Sequence, residues 1–398
     1  MKGYLDMNRL MLIMYISIII IVSYMLIPVA YAAPDDEGAM PDDDLIQQQL
    51  DNLDISEIAK FYENFASEDY PDIGTLLKDM LRGRIPFDVW QIIKNLVSGL
   101  FKEVWQNIGL ISNVLIIAIA AGILNQLQSS FDSKSAGEMA FYACYILIIM
   151  VIIQSFRQMM NYGQEALSNM VLFMQAFAPT MYTLLVASGA VSSSVMFQPL
   201  MALLVGVVGT FVKDVVLPLL FLSAILTLVN HISDKAPLGK LADLLKNICS
   251  WALKLTFIIF SAIVIIQGIT AGSFDSVSFR TAKFAVDNFV PVVGRALSDS
   301  MATVVSYSAL VKSAIGVIGL IILASICLFP AIKIAAVALV YKFAAALIEP
   351  IAQPRICQCL NSIGDILIML FTLVFSVAVM FFIAIAMLIG INSPQAIL

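Results

Sequence analysis

Residues 366–391 read ILIMLFTLVFSVAVMFFIAIAMLIGI, 26 consecutive positions without a charged side chain. At 1.5 Å per residue a helix of that length measures about 39 Å, enough to cross a hydrocarbon core of roughly 30 Å with some tilt. Lipid offers no hydrogen bonds, so such a run must satisfy its own backbone, and a helix does so within one segment. Working outward, the same pattern recurs from residue 107 onward. Further spans are expected near Ile108 to Leu127, Met139 to Phe156, Leu167 to Ala187, Val195 to Val212, Val215 to Asn230, Trp251 to Ala271, Leu310 to Phe329 and Ala331 to Ile348. Several are shorter than about 20 residues, which suits re-entrant, tilted or broken helices. A tenth segment, Ser276 to Tyr307, is helical in pattern but carries Arg280, Lys283, Asp287, Arg295 and Asp299, too many charges for a lipid-facing span.

Composition agrees. Of 398 residues 61% are apolar and 13% charged, against about half and a quarter in a soluble domain. The fold class expected is therefore all-α, a polytopic membrane bundle over 107–398 with the lipid bilayer as its solvent. A net charge of −6 and a pI near 4.8 leave no basic footprint for nucleic acid.

The first 32 residues read as a signal peptide. Lys2 and Arg9 precede an apolar core from Leu10 to Ile27, Pro28 breaks it, and Ala30-Tyr31-Ala32 offers a small-x-small site with cleavage after Ala32. An uncleaved first anchor is the alternative, since the run is long enough to span. Either way 33–106 is expected outside the cytoplasm. Residues 34–106 hold 16 acidic against 6 basic side chains, so this region contains the acidity of the chain. Its opening, Pro34 to Asp44, lacks apolar periodicity and is expected to be disordered. Helical spacing begins near Leu45, and between residues 86 and 105 Val89, Ile92, Ile93, Leu96, Val97, Leu100, Phe101 and Val104 trace an amphipathic stripe. That stripe, with Trp90 and Trp105, suits a membrane surface, partner helices or its own chain. All five cysteines lie later, so no disulfide braces the region.

With the N-terminal region outside and the charged segment counted as a crossing, alternation puts His231 to Ser250 and Glu349 to Asp365 inside and the C-terminus outside. Lys235, Lys240 and Lys246 in the first of these loops agree with the positive-inside tendency. A tandem parallel repeat, about 165–272 and 276–391, is suggested by Pro179 and Pro291 lying 112 residues apart, as do Pro218 and Pro330. The first copy breaks at Ala187 to Ser194 (ASGAVSSS), around Gly189. The second is expected to break at Leu297 to Ser308, another cluster of polar residues.

These breaks, and ionisable residues within apolar runs, are the site candidates. Irregular backbone at membrane depth lasts only where protein or water satisfies it, so the breaks suit a cavity lining or, equally, a surface turn. Lys342 sits inside an apolar run and needs a partner or water. Glu349 follows two turns later on the same face, while Lys333, Asp299, Arg295, Asp365 and Glu165 are further candidates, for coupling or for structural pairing. No catalytic triad, phosphate loop, dinucleotide fingerprint or two-histidine metal motif occurs. The chain is expected to be no enzyme and to need no metal or cofactor.

The strings LDNLDISEI (Leu50 to Ile58), PDIGTLLKDMLRGR (Pro71 to Arg84), FMQAFAPTMYTLLVASGAVSSS (Phe173 to Ser194), LPLLFLSAILTLVNHISDK (Leu217 to Lys235) and FVPVVGRALSDS (Phe289 to Ser300), in this order, resemble the stage III sporulation protein AE family. The resemblance implies a multi-pass protein of the mother-cell membrane around the forespore, part of a multiprotein channel joining the two cells. The partners it implies are other membrane proteins of the same sporulation operon, a separate cytoplasmic ATPase and a forespore-side membrane protein. A stand-alone permease for a small solute is the alternative, favoured by the repeat, the broken helices and Lys342.

Overall fold

A computed structural model describes residues 56–65, 73–81, 89–128, 134–232, 238–289, 294–350 and 354–391. The signal peptide with Ala32, the acidic opening and Pro291 lie outside the described residues. Every regular element among those described is helical. In chain order they are α1 (Ser56–Phe65), α2 (Ile73–Leu81), α3 (Val89–Gln106), α4 (Ile108–Gln128), α5 (Lys134–Ala187), α6 (Val191–Phe211), a π-helical turn (Val212–Val216), α7 (Leu217–Ile232), α8 (Gly239–Phe289), α9 (Gly294–Ile348) and α10 (Pro354–Gly390). An all-α polytopic bundle is thus the fold.

The count of crossings differs from the sequence expectation. Among the described residues six segments are long and apolar enough to cross a membrane: Lys94–Ala120, Ala143–Ala187, Val191–His231, Gly239–Thr270, Ser300–Ile348 and Pro354–Gly390. Pairs of expected spans have merged. Met139 to Phe156 and Leu167 to Ala187 share α5, a 54-residue helix about 81 Å long. Pro179 and Pro330 lie inside α5 and α9 without ending them. Proline in a membrane helix is tolerated where neighbouring helices support the freed carbonyl. At Pro218, the second residue of α7, the chain answers differently. The wider π turn precedes it, with the Leu217 amide bonded to the Val212 carbonyl five residues back.

Leu297 to Ser308, expected to be a break, is continuous helix within α9. The hydroxyls of Ser306, Ser308 and Ser313 donate to the carbonyls of Ala302, Val304 and Ala309 four residues earlier, so polar content there requires no loop.

α10 is the central helix, buried along most of its length, and packs most extensively on α9. Close approach depends on glycine. A Cβ on Gly268 would run into Met387, one on Gly316 into Ile389, and one on Gly319 into the Phe177 ring. The described part of the acidic region joins this core: Ile58, Tyr62, Leu76 and Leu77 are buried in it. The Phe61 ring meets Phe173 of α5 edge-on, with centroids 5.5 Å apart. On α3 the predicted stripe divides. Leu96, Leu100 and Val104 are half-buried and Gly99 approaches Ile332 of α9, while Trp90, Val97, Phe101 and Trp105 are exposed.

Candidate functional site

Two clusters of buried charge stand out against the apolar helix interfaces, and both involve the antiparallel pair α9 and α10. In the first, Lys342 Nζ lies 2.6 Å from Asp365 Oδ1 and donates a second, longer bond of 3.3 Å to Asn361 Oδ1. The Asp365 side chain is 7% exposed and that of Lys342 32%, so the carboxylate is buried and the lysine half-buried. Gly364 makes room for it, since a Cβ there would meet Lys342 Cγ at 3.0 Å. Next to this pair the Tyr341 and Ser155 hydroxyls are hydrogen-bonded, and Tyr145 of α5 interacts with Cys359. Polar side chains of three helices therefore meet at one level of the bundle.

Among the lysine's expected partners the structure selects Asp365. Glu349 is exposed in the turn after α9. Lys333 lies on α9 with its ammonium 4.9 Å from the centre of the Tyr162 ring, a cation–π contact. Arg295 and Asp299 belong to the first turns of α9, and their side chains lie outside the described residues. The candidates accordingly do not converge on one site.

The second cluster includes the predicted first break. α5 ends in a Schellman motif: the Ala190 amide bonds to the Leu185 carbonyl and the Gly189 amide to Val186. Gly189 takes φ +82°, the left-handed region open to glycine. The break is three residues, Ser188 to Ala190, and α6 then begins without a side-chain cap of its own. Its cap comes from α8. Asp275 accepts bonds from the Ser192 amide at 2.8 Å, the Ser193 amide at 3.1 Å and the Ser193 hydroxyl. A carboxylate there also complements the positive end of the α6 dipole.

Lys312 of α9 does the converse at a helix C-terminus. Its ammonium donates to the Ile391 carbonyl just past α10 and interacts electrostatically with Asp275. Asp275 is 1% and Lys312 2% exposed, so opposite charges and opposite helix ends balance within one buried cluster. Neither residue stood out in the sequence. Asp275 falls between the expected span Trp251 to Ala271 and the charged segment from Ser276, and Lys312 lies within the apolar run from Leu310 to Phe329. The available signal was the one that drew attention to Lys342, an ionisable residue inside an apolar context. Thirty residues of α9 separate Lys312 from Lys342, about 45 Å along the helix.

The family described as Stage III sporulation protein AE matches residues 71–392. The chain belongs to the stage III sporulation protein AE family. Its relative of that name in Bacillus subtilis (strain 168) is 32% identical over 366 residues, covering 90% of this chain and 91% of that protein. No solved structure matches. Membership of the stage III sporulation protein AE family assigns the chain to sporulation, and the six apolar helices make it a multi-pass membrane protein.

Proposed function

We propose that this protein is a non-enzymatic membrane component of a multiprotein channel between mother cell and forespore, forming part of its membrane conduit or gate. It would reside in the mother-cell membrane around the forespore with its N-terminal region in the intermembrane space. The partners would be other membrane proteins of the stage III sporulation operon, a separate cytoplasmic ATPase and a forespore-side membrane protein. The observation that carries the reading is the pair of charge clusters about 45 Å apart along α9, each joining helix ends or helix faces that a gate must hold and release. A cleaved signal and the absence of a cofactor belong to the same proposal.

The permease alternative draws on the same charges, because a buried Lys–Asp pair also suits coupling to protons or solutes. Reconstitution distinguishes the two. Purified protein in liposomes, assayed for release of trapped small solutes, is expected to be closed alone and to conduct only with partner proteins present. Steady flux from the isolated chain would establish the permease instead.

A further inference from the structure

The surfaces of the bundle differ in a way that bears on where lipid ends and water begins. α5 from Ala166 to Ala187 and α9 from Ser313 to Ile332 are free of charged residues for 22 and 20 positions. These lengths, about 33 and 30 Å, match a hydrocarbon core. The outward sides of α6 and α8 share the apolar character: Val195, Leu203, Val207, Ile258, Ile265, Ile266 and Ile269 are all exposed. That side of the bundle suits acyl chains.

The side covered by α1 and α2 is chemically opposite. α1 rests on α5 and α9, with Phe61 against Phe173, a third of the way along the charge-free stretch of α5, and α2 rests on α9. Outward from these helices stand Glu57 and Lys60, which pair with each other at 2.8 Å while exposing 58% and 66% of their side chains, together with Glu63 and Lys78. Charges facing acyl chains at that level would be strongly disfavoured. α3, which also packs on α9, mixes exposed Trp90, Phe101 and Trp105 with exposed Lys94 and Lys102. Indole rings and lysines together are the composition of a lipid–water border.

We infer that the α1–α2 flank, entering from the intermembrane space, faces water at membrane depth, as one wall of an aqueous passage for hydrated solutes, with α3 as its edge and α6 and α8 facing lipid. This rests on the conduit reading above and specifies which side of the chain would line the conduit.

The test is thiol accessibility in the full-length protein in native membranes, with the five cysteines replaced and single cysteines introduced. Lys60→Cys and Lys78→Cys are compared with Leu203→Cys and Ile266→Cys, using a charged, membrane-impermeant maleimide supplied to both membrane faces. The flank positions are expected to label at least tenfold faster than the α6 and α8 positions. Equally slow labelling of both sets places the flank against lipid or protein and overturns the inference. Equally fast labelling of both places this part of the bundle outside the bilayer and also overturns it. Because no transport is measured, inertness in the liposome assay leaves this result readable, and a wet flank on a chain that conducts alone would sink the conduit reading while sparing the inference.

Discussion

Removing the Lys342 ammonium strands the Asp365 carboxylate between α9 and α10. Breaking a buried ion pair by deleting one partner costs about 3–5 kcal/mol. Because the Lys342 side chain is a third exposed, Lys342→Met is expected to cost less, about 2 kcal/mol, read as a lower unfolding midpoint in detergent. The double variant Lys342→Met/Asp365→Leu should regain most of that stability. If sporulation fails in the stable double variant, the charges themselves are used; if it recovers, the pair only holds helices together. Asp275→Ala removes the cap of α6 and one side of the balance around Lys312, and about 2 kcal/mol of destabilisation is expected by the same measurement. Asp275→Asn, which keeps an acceptor oxygen, should lose less. A neutral Asp275→Ala would show that α6 needs no cap from α8. At this scale the sequence disclosed where charge sat in apolar runs but not which charges meet. Lys342 could be singled out because its surroundings are local, whereas Asp275 and the Ser192 and Ser193 amides lie more than 80 residues apart, joined only by the packing of α6 on α8.

Helix boundaries were less legible than helix existence, for an identifiable reason. Proline ends helices in water by removing an amide donor and crowding the preceding turn, and serine by offering the backbone an alternative partner, yet α5 and α9 run through Pro179, Pro330 and several serines without ending. In these helices the serine hydroxyls return to their own helix, and packing supports what proline disrupts. The expected second break was inferred from residue types whose hydrogen bonds turned out to be satisfied in place. The three-residue break at Gly189 was recognisable, because a left-handed glycine followed by serines is a local signal. Packing between helices gives a further prediction. Gly319→Ala forces a Cβ into the Phe177 ring and is expected to destabilise by about 1–3 kcal/mol. Gly206→Ala in α6 meets nothing within 4 Å and should be neutral or stabilising by up to about 1 kcal/mol. Similar midpoints for the two variants would mean that α5 and α9 do not approach as closely as described.

For the whole molecule, the decisive quantity is the number of crossings, since each merged pair of spans changes which end of the bundle a turn occupies. A continuous helix can cross once, so α5 takes the Ser188 to Ala190 turn to the far side from the chain between α4 and α5. The clusters agree without reference to lipid: Asp275 of α8 bonds the start of α6, and Lys312 of α9 bonds the carbonyl just past α10, so the start of α6 and the end of α10 share one pole. The opposite pole holds the start of α8 and the turn between α9 and α10. Ten crossings and six put these last two on the same side, because an even number of crossings separates them in either scheme; the two schemes place the turn after α5 on opposite sides. Cysteines at Lys240 and Glu349 are therefore expected to react with an impermeant maleimide from one membrane face, and a cysteine at Val191, 51% exposed beside the turn, from the other. Asp275, buried as it is, cannot serve as a reporter. Reaction of all three from the same face would mean that α5 turns back within the membrane, and the ten-crossing arrangement would replace the six.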